Sequence, residues 1–320
     1  MAHEVESMMF VGHEGTPWHG LGTPVDEALT SSEAIIQAGL DWTVRTSPTF
    51  ILGPDGNPLE IGDTKAIVRD TDNSILGTVG NRYTPVQNIE AFDFLDTVVN
   101  DGSVRYHTAG SLFNGKKIWL LAKVGSFDVV PGDKVDQYLF LHNAHDGTGA
   151  LKVLFTPVRV VCANTARLAL ASGEGISIRH QGDIKTKIHE AQKVLGLAQK
   201  HFSQFQEFTE VAKTVRMDTD RWNNFALTLI PDPPEKNSTK AANQRNTLTN
   251  LFTDGTGQNL VGVAGTGWAA FNAVTEFANY QRPAKGSDKE RQENRMVSSL
   301  FGPSAKMIST AMDSILSLAA

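Results

Sequence analysis

The chain has 320 residues, 40% of them hydrophobic and 20% charged, a composition typical of a soluble globular protein with one large domain or two ordinary ones. No run of about 18 apolar residues is present to span a membrane, and the start, Met-Ala-His-Glu, lacks the basic and apolar regions of a signal peptide. The single cysteine, Cys162, excludes a disulfide framework within one chain. We therefore expect a cytoplasmic location.

The net charge of −6 is unevenly distributed along the chain. Residues 1–70 contain eleven Asp and Glu against three basic residues, whereas residues 102–187 contain eleven Lys and Arg against six acidic residues. A negative protein with this distribution can still present a positive face. The composition therefore argues only mildly against a nucleic-acid partner, and uneven charge on an ordinary solvated surface is the alternative.

The first 25 residues are predicted to be loop-like because Gly and Pro recur in them, as in GTPWHGLGTP at 15–24. Trp18 is predicted to anchor this segment to the core. Residues 30–40 have the pattern of a short helix that ends at Gly39. Extended chain is predicted after it, with a hairpin around residues 70–73.

A helix is predicted over residues 84–100, with Thr84 as its cap. Its apolar face is predicted to contain Ile89, Phe92, Leu95 and Val99. Two hairpins are predicted farther along, because Asn114-Gly115 and Asp146-Gly147 are strong two-residue turn signals between apolar runs. Residues 40–163 are thus predicted to be β-rich with one inserted helix.

The rest of the chain is predicted to be mainly helical. An apolar stripe from Ile184 to Phe205, at steps of three and four, predicts a helix of about eight turns. Shorter helices are predicted at 164–173, after Gly267 and at the end of the chain. The last helix carries the apolar residues Met307, Ile308, Ala311, Met312, Ile315 and Leu318.

We therefore predict an α+β fold. Residues 1–180 are predicted to form a β-rich core of hairpins with an inserted helix and an N-terminal anchor segment. Residues 181–320 are predicted to form a helical part, with a hinge loop near 230–244 that is rich in Pro, Lys and Asn.

A metal site is the weaker of two chemical interpretations. His142 and His145 form an H-x-x-H, and Cys162 follows, but zinc requires three or four converging ligands. Cys162 in VRVVCANT is more typical of a small buried hydrophobic residue than of a nucleophile. The glycine-rich stretches GTGALK and GVAGTGWA do not match a phosphate loop. No catalytic residue, metal or cofactor is therefore predicted.

Nucleic-acid binding is the stronger interpretation, because single-strand binding needs basic groups for phosphates and aromatic faces for bases. The candidate phosphate contacts are Arg82, Lys116, Lys117, Arg159, Arg167 and Arg179. Tyr83 and Trp119 are candidate stacking residues, although an alternating strand favours Trp119 as a core residue. Arg159 lies within an apolar strand pattern, where a charge must face a cleft, a partner or an acidic group.

Four stretches of the sequence together resemble a known family: PWHGLG, NRYTPVQNIEAFDFLD, NAHDGTGALKVLFTPVRVVCANT and GTGWAAFNAVTEF. They resemble the phage/plasmid-like proteins built on the domain of unknown function 932, over about residues 8–315. The resemblance implies a phage, prophage or plasmid context and a bacterial cytoplasm, but no activity. The predicted architecture is also loosely similar to single-strand annealing proteins of the RecT and Red-beta type, which form rings or filaments around a basic groove.

We therefore expect a non-enzymatic, homo-oligomeric protein that binds single-stranded DNA and promotes annealing or recombination without a cofactor. One alternative is an interaction or assembly protein without nucleic acid, whose subunit contacts would be the stripe from Ile184 to Phe205 and the last helix. The other is a metal- or nucleotide-dependent enzyme, in which His142, His145, Asp146 and Cys162 would have to converge.

Overall fold

The structure, a computed structural model, describes residues 5–12, 22–99, 105–159, 164–165, 176–182, 192–233, 239–287, 291, 294–295, 298 and 302–319. Within these residues a β-rich N-terminal part precedes a helical C-terminal part, which confirms the predicted α+β fold class. None of the described helices is long and apolar enough to cross a membrane.

Most of the described strands belong to one large sheet. Its strands are β1 (Val5–Val11), β2 (Thr23–Val25), β6 (Arg105–Leu112), β7 (Lys117–Asp128), β8 (Lys134–Ala144), β9 (Leu151–Arg159), β10 (Asn164–Thr165) and β11 (Ile176–Ile178). Their order is β10-β9-β8-β7-β6-β1-β2, and β11 also pairs with β9. The neighbours are antiparallel except β1 and β2, which are parallel.

A smaller antiparallel sheet consists of β3 (Val44–Leu52), β4 (Pro58–Arg69) and β5 (Ile75–Gly80), in that order. Two helices accompany the sheets, α1 (Ser31–Gln37) and α2 (Asn88–Val99). The helical part contains α3 (Gln192–Thr214), α4 (Thr219–Leu229), α5 (Thr239–Asp254), α6 (Gly267–Glu276) and α7 (Pro303–Ala319). A π-helical turn, Phe277–Gln281, continues α6.

The two hairpins are confirmed at the predicted positions, but their connections, residues 113–116 and 145–150, are longer than the predicted two-residue turns. The β6–β7 hairpin turns through Phe113, Asn114 and Gly115, all with positive φ, and the β8–β9 hairpin turns through Gly147, with φ of 76°. Helix α1 begins after Thr30, whose amide and hydroxyl both donate to the Glu33 carboxylate. These three signals are local, so the sequence contains them completely.

Two local predictions are wrong because distant partners decide the structure. Residues 5–11 form a strand rather than a loop, since β6 supplies their hydrogen bonds. Helix α2 begins at Asn88 rather than near Thr84, whose amide instead donates to the His180 carbonyl (2.9 Å). Ile89 is consequently 44% exposed instead of lying on the buried face.

The helical part departs from its predicted boundaries. Helix α3 continues to Thr214, nine residues past Phe205, while residues 183–191 lie outside the described residues. Residues 239–244 of the predicted hinge loop begin α5, and 234–238 are not described. The role of this segment as a hinge stays a prediction. Asn164–Thr165 pairs with β9, while residues 166–173 of the predicted helix and Trp18 lie outside the described residues.

Two hydrophobic cores organise the described chain. The first core lies between one face of the large sheet and α1, α2 and the small sheet. The second core joins α3–α7 to the tip of the β7–β8 hairpin through Val129 and Val135. Phe202 of α3 packs against both cores, so the sheets and the helices share a continuous apolar interior.

The last helix uses its apolar stripe inside the second core. Ile308, Ala311 and Ile315 are fully buried, and Phe205 of α3 is 1% exposed. Their own chain therefore covers these four residues, whereas residues 184–191 of the stripe lie outside the described residues. The interpretation that the stripe and the last helix form subunit contacts stays a prediction.

Candidate nucleic-acid interface

One end of the large sheet brings together four segments that are far apart in sequence. The Lys116 carbonyl accepts a hydrogen bond from the His145 amide (2.8 Å), which joins the β6–β7 and β8–β9 turns. The Tyr83 hydroxyl donates to the Ala144 carbonyl (2.9 Å), and Tyr83 forms a β-bridge with Gln181. We name this region the sheet end and define it as residues 82–84, 113–117, 144–150 and 179–181.

Four of the predicted phosphate-contacting residues lie at the sheet end. Arg82, Lys116 and Arg179 are exposed, and Lys117 is half-buried beside the Phe113 ring, with Nζ 5.4 Å from its centroid. In the described part of the chain these four cations form no ion pair with a carboxylate. They are therefore available to an anionic partner.

Several other cations of the β-rich part are paired with carboxylates. Arg69 pairs with Glu6 (2.6 Å), and Lys123 of β7 pairs with Asp136 of β8 (2.6 Å). The Asp146 carboxylate at the sheet end is held in its own turn, where it accepts from the Thr148 amide (2.9 Å) and hydroxyl (2.6 Å). Lys65 of β4 and Lys152 of β9 also form no ion pair among the described residues. The sheet end therefore holds four, but not all, of the cations that the described carboxylates leave unpaired.

Tyr83 connects the segments 144–150 and 179–181 of the sheet end, through its hydroxyl and its ring. Its ring stacks on His180, with centroids 4.7 Å apart and planes 16° apart. Burial raises the pKa of its hydroxyl well above the ordinary value, so the phenol stays neutral. One ring face is covered by His180, and stacking of a base on Tyr83 stays a prediction.

Trp119 is not a stacking platform in this structure. It is 3% exposed and packs in a third hydrophobic cluster with Met8, Phe10 and Phe140, on the face of the large sheet opposite the first core. Gly110 lies directly across from it on β6 and leaves room for the indole. Trp119 as a base-stacking residue is therefore wrong for this conformation.

Two predicted phosphate contacts cannot be placed as side chains. Arg159 lies on β9, where its backbone is opposite Val135 of β8 and Asn164 of β10, but its side chain is outside the described residues. Arg167 is entirely outside the described residues, as is Cys162. Their proposed roles stay predictions.

The H-x-x-H does not form a metal site. Side chains alternate along a strand, so two residues three positions apart face opposite sides. His142 lies across from Trp119 on the side of the third cluster, whereas His145 contacts Asn88 and Trp42 beside the first core. Among the described residues, no three His, Cys, Asp or Glu side chains converge as metal ligands. The prediction that His142 and His145 act together is wrong.

The sequence did not point to the polar cluster beneath the sheet end. His145 is fully buried, with Nε2 2.9 Å from the Asn88 Oδ1 and its ring 5.3 Å from that of Trp42. Burial, followed by charge repulsion from His180, lowers the pKa of His145 to about 3. Burial also lowers the pKa of His180, whose Nδ1 lies 3.2 Å from the Thr84 carbonyl. A polar Asn88 at the start of an apolar helix was the one available signal.

A comparison with protein families gives an identity for the domain. The family model described as "Domain of unknown function (DUF932)" matches residues 75–300, more than half of the chain. The chain belongs to the DUF932 family. No curated protein and no solved structure matches it.

The DUF932 match confirms the resemblance seen in the sequence and locates the sheet end within the family's domain. Arg82, Lys116, Lys117 and Arg179 all lie between residues 75 and 300. Strands β3 and β4 precede the matched region. The cationic cluster is therefore part of the DUF932 domain, whereas most of the small sheet is outside it.

Proposed function

We propose that this DUF932 protein is a phage- or plasmid-encoded protein that binds single-stranded DNA at the sheet end and promotes strand annealing or recombination as a homo-oligomer in the bacterial cytoplasm. The supporting observation is that Arg82, Lys116, Lys117 and Arg179 come from three separate segments, lie at one end of the sheet and form no described ion pair. The activity requires no catalytic residue and no cofactor.

The mechanism is electrostatic. Each cation that contacts a phosphate releases counterions from the strand, which gives affinity without sequence preference. The hydrogen bonds of Tyr83 and His145 fix the backbone of the loops that carry these cations. Binding therefore costs little conformational entropy for ordering these loops. A protein that holds a strand by its phosphates leaves the bases free to pair with a second strand.

Binding of a fluorescent single-stranded oligonucleotide, measured by anisotropy at several salt concentrations, tests this proposal. We expect the double variant Lys116→Gln/Lys117→Gln to bind at least about tenfold more weakly at low salt. The negative slope of log K against log salt concentration should become less steep by about 1.4, which is about 0.7 for each phosphate that is no longer neutralised. The matched control is Lys200→Gln/Lys240→Gln, which removes two exposed lysines from helices.

The control should bind like the wild-type protein. If the wild-type protein does not bind the oligonucleotide at low salt, the proposal is wrong. If both double variants weaken binding equally, net charge rather than the sheet end is responsible, and the proposed site is wrong.

A second observation favours assembly of several copies. The outer half of the β3–β4 hairpin, residues 49–61, which we name the ribbon, carries the exposed apolar residues Phe50, Ile51, Leu52 and Leu59. Among the described strands, β4 pairs with β5 only from Thr64 onward, so both edges of the ribbon are unpaired. The segment from Thr49 to Leu52 carries no charge, so two copies can pair edge to edge without repulsion.

A further inference from the structure

A cleft of about 370 Å³ opens in the helical part, between the π-helical turn and the start of α7. Its polar lining is contributed by Arg282, Lys285, Asn294, Arg295, Ser298 and Ser304. Three of these residues are cations, and no carboxylate is among the described residues of the lining. The described part of the lining is therefore concave and positively charged, and the size of the cleft suits a small ligand.

Arg282 is fixed at the wall of the cleft, and most of its guanidinium N–H groups have no acceptor among the described residues. Its Nη1 donates to the Ser304 Oγ (2.9 Å), and its own carbonyl accepts from the Arg295 Nε (3.0 Å). Within the described part of the chain the Arg282 guanidinium forms no further hydrogen bond and no ion pair. Burial lowers the pKa of Arg282, which reflects the cost of keeping this cation partly out of water without an anion.

The neighbouring side chains complete the site. Ser304 is 1% exposed, and its Oγ lies 2.8 Å from the Ser298 Oγ. The Asn294 side chain donates to the Lys285 carbonyl (3.0 Å), which holds the segment that carries Lys285 against the cleft. Lys285 itself is exposed and, among the described residues, its ammonium has no carboxylate partner.

We propose that this cleft binds a phosphoryl group. A planar guanidinium donates in parallel to two oxygens of one phosphate, an ammonium adds a point charge, and the Ser298 hydroxyl supplies a neutral donor. The positive end of α7 adds to the field, but the amides of Ser304 and Ala305 are already bonded, so the cations carry the binding. The site is separate from the sheet end and does not rest on the proposed function.

Two sources of the phosphoryl group share this chemistry, a free nucleotide and the backbone of a nucleic acid. Isothermal titration of the full chain with inorganic phosphate, with ADP and with a short single-stranded oligonucleotide distinguishes them. The variants are Arg282→Gln and Lys285→Gln. The matched control is Lys306→Gln, which removes an exposed cation of α7 that does not line the cleft.

We expect saturable binding of at least one probe, weakened about tenfold or more by either cleft variant and unchanged in Lys306→Gln. Loss of ADP binding identifies a nucleotide, whereas loss confined to the oligonucleotide identifies a strand backbone. If no probe binds, or if Lys306→Gln weakens binding as much as Lys285→Gln does, the proposal is overturned.

The two proposals fail separately. The oligonucleotide affinity of Lys116→Gln/Lys117→Gln reports on the sheet end, and the phosphate and ADP titrations of Lys285→Gln report on the cleft. Because Lys285 is exposed, its variant keeps the test decisive even if Arg282→Gln does not fold.

Discussion

The hydrogen bonds around His145 determine which of its ring nitrogens carries the proton. The Asn88 side-chain nitrogen donates to the carbonyls of Leu40 (2.9 Å) and Trp42 (3.2 Å), which fixes the amide oxygen toward His145. That oxygen can only accept, so the His145 Nε2 carries the hydrogen. The buried Nδ1 is then a bare acceptor, and no described group donates to it.

This arrangement makes folding sensitive to pH. The pKa of His145 falls from 6.5 to about 3 on folding, so the unfolded chain binds the proton more tightly. Stability should be complete above about pH 6.5 and should be lost as pH falls, by about 1.4 kcal/mol per pH unit for this one group.

We expect His145→Gln, which keeps a donor toward Asn88, to lose less stability than the wild-type protein between pH 7.5 and 5.5. The difference should be about 1 kcal/mol, measured by urea unfolding at both pH values. The carboxylates common to both proteins cancel in this comparison. An identical pH dependence in the two proteins would contradict a neutral, buried His145.

At the scale of elements, the tip of the β7–β8 hairpin connects the sheets to the helices. Asp133 is fully buried there, and its carboxylate accepts a hydrogen bond from the Trp268 indole of α6 (2.8 Å). The Lys213 ammonium of α3 donates to the Val129 carbonyl beside it (3.0 Å). A charged, buried acceptor at a hairpin tip specifies how the hairpin docks as well as stabilising it.

Asp133→Ala should destabilise the protein by about 1–3 kcal/mol, because the buried indole N–H loses its acceptor. Thermal or denaturant unfolding measures this change. Asp128→Ala, an exposed carboxylate on the same hairpin, is the matched control and should stay within about 0.5 kcal/mol of the wild-type value. Equal effects of the two substitutions would show that the hydrogen bond to Trp268 is unimportant.

The elements that could be predicted are those with local causes. Asn114, Gly115 and Gly147 have positive φ, and Thr30 caps its own helix, so a few neighbouring residues contain each signal. Strand β1 and the start of α2 could not be predicted in this way. Their partners, β6 and the residue His180, are about a hundred residues distant.

At the scale of the whole molecule, the apolar residues of the ribbon stay exposed in the part of the chain that the structure describes. A two-stranded hairpin is marginally stable alone in water, and Leu52 at its end is 81% exposed. The ribbon carries Asp55 and Glu60 but no Lys or Arg, which makes it unsuited to phosphates. Under the proposed homo-oligomeric assembly, this uncharged edge is where a second copy would pair.

We expect Phe50→Asp/Leu52→Asp to convert an oligomer into monomers, because a carboxylate on each copy would be buried against another at the shared edge. Light scattering after size-exclusion chromatography measures the mass. Val261→Asp, at an apolar residue 93% exposed outside the ribbon, is the control and should keep the wild-type mass. A wild-type protein that is monomeric at micromolar concentration would refute this assignment.

The candidate sites were predictable in part. Arg82, Lys116, Lys117 and Arg179 were named because they are basic residues around the β-rich segment and before its helix, but their proximity depends on the strand order. The cleft around Arg282 could not be found in the sequence. Its serines and cations line one cleft only when the folded chain brings the π-helical turn and the start of α7 together.

The pairing of β1 with β6 has a consequence for synthesis on the ribosome. Met8 lies opposite Gly110, so the first strand leaves the ribosome about a hundred residues before the strand that holds it. At typical elongation rates this interval is roughly 5–20 s. During that time the apolar run from Met8 to Val11 is exposed on the nascent chain without β6 beside it. A chaperone or a neighbouring nascent chain can therefore bind this segment before β6 is synthesised.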